Sequence, residues 1–421
     1  MQLPTLSSFQ KNVLSMFTGT AIAQLIPMVI SLFITRIYTT EEIGLWALFT
    51  SVASVCGVVA TARYEMAVVL SKDDSEALHV MGVSIIVNLL YTALLMVLFL
   101  VFSGMLADWL RSEGIKSLLW LAAFFSFGTG IYQTLSYWLI RMKRFRLSAL
   151  GRVAQAVVTA VITLLLGYWK VLNNGLILAS VSGLFAACIW WVVPFFKAHL
   201  DVVQRISSSE LKRVAWKYIN FPKFNTFHAF LNSLSGNFPV MLMAAYFSSK
   251  VVAYYGFSLR IVLLPLMLIS NSISQVMNQE MAEMLNKGIS IEQKVHKLMN
   301  KLVLFGIPIF VILLLAAPFL FSVFFGKEWY EAGQYTRILA PWLFMVFLNS
   351  AFSFIPPMLD KQKQNLIIEI IYFGLRMIAL WIGASFIGNV YWMLGLYTVV
   401  GCMMLIYCQM WIVRISKTKT A

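Results

Sequence analysis

The feature that most constrains this chain is a series of apolar blocks, each about twenty residues long, that recurs along its 421 residues. An α-helix of about 20 residues crosses the ~30 Å hydrocarbon core of a bilayer. Within that core only helices and closed barrels satisfy their own backbone hydrogen bonds, so blocks of this length must be helices. The pattern therefore predicts a helical membrane protein.

Composition places the chain outside the soluble globular class. Of its residues, 60% are hydrophobic and only 12% are charged, whereas a soluble domain carries about a quarter charged residues. The first apolar block is too long for the apolar region of a signal peptide, so we expect it to be an uncleaved span. Twelve blocks can be delimited, at residues 13–35, 43–62, 80–102, 118–140, 153–169, 176–196, 224–247, 251–276, 302–325, 338–358, 366–386 and 390–413. The predicted fold class is an all-α polytopic membrane protein with about 12 transmembrane helices.

The distribution of lysine and arginine predicts the orientation of these spans. With the N-terminus in the cytoplasm, 23 of the 32 basic residues fall in cytoplasmic segments, six fall on the other side, and three lie within spans or at their ends. This bias predicts that both termini are cytoplasmic. It also explains the net charge of +15 by membrane insertion and attraction to anionic lipid, so no nucleic acid is expected as a partner.

The longest loop, residues 197–223, divides the spans into two sets of six. The predicted domains are an N-terminal six-helix lobe at residues 1–200, a cytoplasmic linker at 201–222 and a C-terminal six-helix lobe at 223–421. A run of serines in the linker precedes an amphipathic helix predicted at residues 210–218. The segments YTTEEIGLW (38–46) and FSSKVVAYY (247–255) share one pattern of residue types, as two parallel repeats would.

No arrangement of residues predicts catalysis or cofactor binding. The four histidines are scattered, the four cysteines lie inside apolar blocks, and the sequence has no Ser-His-Asp order, metal-ligand spacing or phosphate-binding glycine loop. A membrane glycosyltransferase or polymerase needs a large extracytoplasmic loop, and the longest one predicted here spans only residues 103–117. We therefore expect a protein that is not an enzyme and that binds no metal or cofactor.

Ionisable residues at membrane depth are candidates for a functional site, since each costs about 2.5–3.5 kcal/mol to insert. Arg260 lies ten residues past Lys250 and Arg376 lies thirteen past Lys363, which places both near the bilayer midplane. They must face a wet lumen or pair inside the bundle. Because arginines outnumber acids at this depth and guanidinium binds phosphate oxygens in a bidentate way, we predict an anionic substrate.

Four further residues complete the predicted site. Arg36 lies at the outer end of the first span, where it either lines the lumen or extends to the interface. Arg63 and Glu65 lie at the cytoplasmic end of the second span, as a structural ion pair or as functional groups. Glu369 lies two turns from Arg376 on one helix face, and it either neutralises that arginine or takes part in coupling to a cation.

Two stretches, FITRIYTTEEIGLWALF (33–49) and ARYEMAVVLSKDD (62–74), resemble the polysaccharide exporters of the MOP flippase superfamily, and within it the Wzx-type O-antigen flippases. The specific part of this resemblance covers about the first 80 residues, and the remainder agrees in the number and length of spans. The family usually has proline where Thr40 and Ser71 stand. Neither departure involves a charged position.

The resemblance implies two six-helix lobes in a V around a cationic cavity. It implies a flippase that moves an undecaprenyl-pyrophosphate-linked oligosaccharide, the O-antigen repeat unit of lipopolysaccharide biosynthesis, from the cytoplasmic to the periplasmic leaflet of the bacterial inner membrane by alternating access. The partners implied are this lipid-linked oligosaccharide, membrane lipid, and the polysaccharide polymerase and chain-length machinery.

The main alternative is a cation-coupled exporter of small molecules, related to the MATE transporters of the same superfamily. Such a protein needs buried carboxylates for cationic drugs, whereas arginine predominates at membrane depth here. An O-antigen polymerase or ligase would need the long periplasmic loop that the sequence does not predict. A further alternative is a channel or passive scaffold. Only the charged residues near the bilayer midplane argue against it.

Overall fold

The computed structural model describes residues 8–170, 174–203 and 207–417. Residues 204–206 of the predicted linker and the ends of both predicted lobes lie outside these ranges. Within them the chain is almost entirely helical and contains no strand. The helices are α1 (Ser8–Ile37), α2 (Thr40–Gly57), α3 (Asp74–Trp109), α4 (Glu113–Lys116), α5 (Leu119–Arg141), α6 (Phe145–Trp169), α7 (Gly175–Val203), α8 (Ser208–Lys217), α9 (Thr226–Tyr246), α10 (Ser249–Asn286), α11 (Glu292–Phe325), α12 (Tyr330–Ala351), α13 (Ile355–Met358), α14 (Gln362–Ile382) and α15 (Val390–Ser416).

Twelve of these helices are 18 residues or longer, and each corresponds to one of the twelve predicted blocks. They are α1, α2, α3, α5, α6, α7, α9, α10, α11, α12, α14 and α15. Within the described ranges, eight of them are long and apolar enough to span a membrane: α3, α6, α7, α10, α11, α12, α14 and α15. The predicted fold class, an all-α polytopic membrane protein, is confirmed.

Short non-α turns connect several of the long helices. A 3₁₀ turn at Tyr64–Val68 lies between α2 and α3, and another at Lys327–Trp329 precedes α12. π-Helical turns at Phe221–Asn225 and Gly383–Ile387 precede α9 and follow α14. The second predicted block extended to residue 62, but α2 ends at Gly57 because the chain then turns, with Ala62 and Arg63 in left-handed backbone conformation.

The chain packs as two compact units, Met1–Ala245 and Tyr246–Ala421. In the first unit, α6 packs against α1 and α7, while α5 packs against α2 and α3. In the second unit, α12 packs against α10, α11 and α15, while α14 packs against α15. The wide lipid-facing surfaces remain apolar; Leu100 of α3, for example, is 76% exposed. Apolar side chains on such surfaces are solvated by lipid tails, so they carry no cost in a bilayer.

Gly151 allows a close approach between α6 and α7. A side chain at this position would collide with the indole of Trp191, whose Nε1 donates to the carbonyl of Leu147 at 3.0 Å. Trp191 is only 1% exposed, so the indole has no room to move away. Small residues at helix crossings allow backbones to approach in this way in membrane proteins.

The two halves of the proposed repeat begin their helices in the same manner. Thr39, at the N-cap of α2, has extended backbone. Its hydroxyl accepts a hydrogen bond from the Glu42 amide, and its own amide donates to the Glu42 carboxylate, which completes a capping box. Ser248, at the N-cap of α10, has the same extended backbone but makes no side-chain cap hydrogen bond. The backbone geometry is shared, and the side-chain cap is present only in the first half.

Candidate functional site

Arg376 is held inside the second unit by aromatic side chains. It lies in the C-terminal half of α14 and is 5% exposed. The carbon at the centre of its guanidinium lies 4.1 Å from the ring centre of Tyr397, and 4.6 Å from those of Trp342 and Tyr372. The rings belong to α12, α14 and α15, so three helices contribute to one binding cage for a cation. We call Arg376, Trp342, Tyr372 and Tyr397 the aromatic cage.

Packing fixes the rings of the aromatic cage. Tyr372 precedes Arg376 by one helical turn, and its hydroxyl accepts a 2.8 Å hydrogen bond from Nε1 of Trp342. Trp342 also packs over Gly401 of α15, where a Cβ atom would lie 2.5 Å from its indole. The Tyr372 hydroxyl can still donate its own proton to a further acceptor. The cage is therefore rigid and has hydrogen-bond donors left over.

Two buried donors beside the cage have no hydrogen-bond partner among the described residues. They are Nε of Arg376 and the hydroxyl of Tyr255 on α10, whose side chain is fully buried. A cation–π contact contributes about 2 kcal/mol when desolvated, but it does not replace an acceptor for an N–H group. Together the guanidinium and the phenol can bind an acceptor with negative charge, such as a phosphate oxygen.

Glu369 does not neutralise Arg376 in the structure. Its carboxylate is exposed and accepts a 2.8 Å hydrogen bond from the amide of Asn365, one turn earlier on α14. Within the described part of the chain, no carboxylate forms an ion pair with Arg376. Among the residues that the structure describes, the guanidinium contacts the faces of three aromatic rings.

Arg260 lies in α10 of the same unit and is half-buried. None of the ring contacts of Arg376 involves it. Arg260 and Arg376 thus both lie inside long apolar helices of the second unit.

Arg63 and Glu65 occupy a strained turn in the first unit. Ala62 and Arg63 have φ values of 47° and 62°, a conformation that costs energy for residues other than glycine and is often found at functional sites. Nη1 of Arg63 lies 3.4 Å from Oε1 of Glu65, and Oε2 of Glu65 accepts a 2.5 Å hydrogen bond from the Thr61 hydroxyl. The turn thus holds an ion pair whose carboxylate is fully buried.

The polar groups of this pair are incompletely hydrogen-bonded. Nε of Arg63 and Oε1 of Glu65 are buried without a hydrogen-bond partner among the described residues. Burial raises the pKa of Glu65, although the Thr61 hydrogen bond and the charge of Arg63 oppose the rise. This carboxyl group therefore takes up a proton at higher pH than an exposed glutamate does.

Arg36 is exposed in the last turn of α1. A cation at a helix C-terminus interacts favourably with the helix dipole, which explains its position without a ligand. The structure does not bring Arg36 into contact with Arg63, which lies in the turn after α2.

Sequence reasoning missed two parts of these sites. Arg152 directly precedes the predicted block at residues 153–169, but α6 begins at Phe145, so Arg152 lies two turns inside this helix, with Nε buried. Its side chain hydrogen-bonds to Tyr132 of α5, whose ring packs 4.7 Å from that of Trp191. The aromatic cage was also missed. Its rings are spread over residues 342–397, and no local motif connects them.

No group of three or more histidine, cysteine, aspartate or glutamate residues in the described ranges is arranged to hold a metal ion. The charged groups of interest are instead the arginines inside the helices and the one buried carboxylate beside Arg63. Such groups bind anions and protons more readily than metals.

A family model described as polysaccharide biosynthesis protein matches residues 33–334, which is most of the chain. The chain belongs to the polysaccharide biosynthesis protein family. The match includes Arg36, Arg63, Glu65 and Arg260, whereas Glu369 and Arg376 lie beyond its end. Among curated protein sequences, no match was found.

Solved structures establish the fold of this family member. A multidrug resistance MATE family transporter of the MOP superfamily, in an inward-facing conformation, aligns with a TM-score of 0.74 and 14% identity, over 95% of this chain and 96% of that one. The lipid II flippase MurJ, in an inward closed conformation, aligns with a TM-score of 0.72 and 13% identity, over 93% and 87%. A MOP superfamily transporter from Pyrococcus furiosus aligns with a TM-score of 0.60 and 12% identity, over 96% and 95%. The family member therefore has the fold of MOP superfamily transporters.

Proposed function

We propose that this protein flips an undecaprenyl-pyrophosphate-linked oligosaccharide, an O-antigen repeat unit, from the cytoplasmic to the periplasmic leaflet of the bacterial inner membrane by alternating access. Membership of the polysaccharide biosynthesis protein family supports a role in glycan assembly. The observation that carries the proposal is the buried guanidinium of Arg376, which has no carboxylate partner in the described structure and lies beside the unpartnered Tyr255 hydroxyl.

The chemistry of the proposed substrate matches these donors. A pyrophosphate group carries negative charge and several acceptor oxygens, and guanidinium and phenol groups donate to such oxygens. Each negative charge that moves outward gains about 2.3 kcal/mol per 100 mV of inside-negative potential. The polyprenyl chain can remain in lipid while the polar headgroup crosses through the protein.

The remaining site residues receive roles in this proposal. Arg376 and Arg260 bind the pyrophosphate in the second unit, while Arg36 and Arg63 supply cationic groups in the first. Glu65 and Glu369 are the candidates for coupling transport to a cation, and Glu65 is the buried one of the two. Both termini are cytoplasmic, and the domains are the lobes at 1–200 and 223–421 with the linker between them. The polymerase and chain-length machinery are the proposed partners.

A deletion strain tests the proposal in a bacterium with a defined surface glycan. Loss of the protein should abolish the surface glycan and cause lipid-linked repeat units to accumulate with their sugars facing the cytoplasm. Wild type should restore export, and the Arg376→Met variant should not, because methionine fills the cage without a charge. Persistence of the glycan without accumulation of lipid-linked units would overturn the proposal.

The same strain separates the proposed flippase from a cation-coupled exporter of small molecules. The buried carboxylate of Glu65 is the feature that favours this second function, because such exporters need acids in the membrane for cationic substrates. An exporter of that kind predicts increased sensitivity of the deletion strain to lipophilic cations, with the surface glycan intact. The flippase proposal predicts that the deletion strain loses the surface glycan and keeps its ordinary sensitivity to lipophilic cations.

A further inference from the structure

The inward face of α8 packs against other parts of the first unit. Val214 is completely buried in a core cluster that includes Leu78 and Met81 of α3. Lys217 forms an ion pair with Glu76 of α3, and this hydrogen bond raises the pKa of Lys217. The hydroxyl of Tyr64 donates to the carbonyl of Ala215 at 3.0 Å. Contacts from its second half thus hold α8 against α3 and the turn before α3.

The outward face of α8 carries exposed basic residues and an exposed tryptophan. Ser209, Lys212, Arg213 and Trp216 share one side of the helix by their spacing, and all four are exposed. Trp216 is 67% exposed, although a tryptophan in a soluble helix is usually buried to a large extent. Lys212 has no ion-pair partner in the described structure, whereas Arg213 pairs with Glu210 at 2.7 Å.

The turn before α9 and the first turn of α9 carry a further lysine and two aromatic rings. Lys223, Phe224 and Phe227 are exposed there, and the two phenylalanines are 67% and 62% exposed. Basic residues beside exposed aromatic rings are typical of a helix that lies in the headgroup region of a bilayer. Acidic protein surfaces also attract lysine, but they give no reason for three large rings to remain uncovered.

We propose that the outward face of α8, with the start of α9, binds the headgroups of anionic phospholipids. Trp216, Phe224 and Phe227 enter the boundary between headgroups and acyl chains, and Lys212 and Lys223 contact the phosphates. Anionic lipid is thereby bound to the first unit through α8. The proposal does not depend on which substrate the protein transports.

A fluorescence experiment on the full chain tests this proposal. Ser209→Cys supplies a labelling site on the outward face, in a background where Cys56, Cys188, Cys402 and Cys408 are alanine and folding has been verified by gel filtration and circular dichroism. The protein, labelled with an environment-sensitive dye, is reconstituted into vesicles of phosphatidylcholine alone or mixed with phosphatidylglycerol. Quenchers attached to lipid headgroups then report the fraction of protein whose outward α8 face has lipid headgroups bound.

Phosphatidylglycerol should increase the bound fraction, and high salt should reverse the increase. Lys212→Gln should lower the ratio of lipid-bound to lipid-free protein by about fivefold in phosphatidylglycerol vesicles, the effect of one basic residue near an anionic surface, and should have little effect in phosphatidylcholine. Lys212→Arg should behave as wild type. Trp216→Ala should lower binding in both lipids, because the ring acts through the hydrophobic effect.

Lys297→Gln is the matched control, because it removes the same charge from another exposed lysine without an ion-pair partner in the described structure. Equal effects of Lys212→Gln and Lys297→Gln would overturn the proposal, since they would show a response to net charge alone. Absence of quenching in both lipids would also overturn it and would leave the face free for a protein partner.

Discussion

At the scale of single residues, the charge of Arg376 is costly to place in a membrane, and three aromatic rings contact it there. An isolated arginine inside a span costs about 2.5–3.5 kcal/mol. The three ring contacts offset this cost, but they supply no acceptor for the buried Nε–H group. Evolution usually retains such a residue for function. Stability and transport should therefore respond in opposite directions when the charge is removed.

Arg376→Met tests this opposition. Methionine keeps the apolar volume of the cage and removes a buried charge without a carboxylate partner, so the melting temperature should be unchanged or higher. Glycan export should be lost. Arg376→Lys keeps the charge but cannot stack as a planar group, and we expect a reduction in export of about tenfold or more, as for loss of a charge-assisted hydrogen bond. Full export by the methionine variant would show that Arg376 is structural only.

Glu65 should make stability depend on pH. Burial raises its pKa above the ordinary value of 4.5, so the folded protein binds this proton more tightly than the unfolded chain. The contribution of Glu65 is therefore fully present below the ordinary value and is lost as pH rises through the raised pKa. Melting temperatures in detergent, measured from acid to neutral pH, should fall less steeply for Glu65→Gln than for wild type.

Glu113→Gln supplies the comparison for this experiment, because Glu113 is exposed. That variant should keep the pH dependence of the wild type. Identical pH profiles of wild type and Glu65→Gln would contradict the role assigned to the buried carboxyl group.

Single-residue environments were the hardest feature to predict from sequence. The depth of Arg376 followed from its distance to Lys363, but its ring partners did not, because Trp342, Tyr372 and Tyr397 come together only through the packing of α12, α14 and α15. Arg152 was not recognised as part of α6 for a related reason: two further turns of helix precede the apolar block that marks the span. Periodicity and charge counts contain no information about which side chains meet across helices.

At the scale of elements, the start of α2 and the start of α10 are a natural matched pair. Both N-caps have extended backbone, but only Thr39 makes the side-chain hydrogen bond. Thr39→Ala should cost about 1 kcal/mol of stability, the typical contribution of an N-cap. Ser248→Ala should cost much less, and thermal unfolding of the two variants measures the difference. Equal losses would show that the capping box contributes nothing.

The crossing of α6 and α7 permits a second comparison. Gly151→Ala places a methyl group against the indole of Trp191, and overpacking of this kind costs about 1–3 kcal/mol. Gly104→Ala in α3 meets no atom within 4 Å and should stabilise the helix by about 0.5–1 kcal/mol. Melting temperatures should move in opposite directions, and parallel shifts would contradict the role of Gly151.

Helices were more predictable than contacts, since a span requires only a long apolar run. The amphipathic helix was predicted at residues 210–218 and is present as Ser208–Lys217. Its serine cap was only partly anticipated. Ser207 is the N-cap, but its hydroxyl bonds to that of Ser209 at 2.8 Å and caps no amide. The end of α2 was misplaced because left-handed turns at alanine and arginine have no sequence signature.

At the scale of the whole molecule, the positive-inside bias makes a prediction about accessibility. Single cysteines at Lys116 and Lys327 should react with a membrane-impermeant reagent in intact cells. Cysteines at Lys143 and Lys297 should react only after the membrane is permeabilised. Labelling of the second pair in intact cells would reverse the proposed orientation, and labelling of one residue from each pair would contradict the even number of spans.

The aromatic cage also has a consequence for how the chain enters the membrane. Trp342 precedes Arg376 in the order of synthesis, but Tyr397 follows it, on α15. While α14 leaves the translocon, its arginine lacks the ring that lies closest to it in the finished protein, at 4.1 Å. We therefore expect α15 to stabilise α14 in the membrane once both helices have been inserted. A nascent chain that stops after Ile382 should retain α14 in the bilayer less efficiently than the full-length protein does.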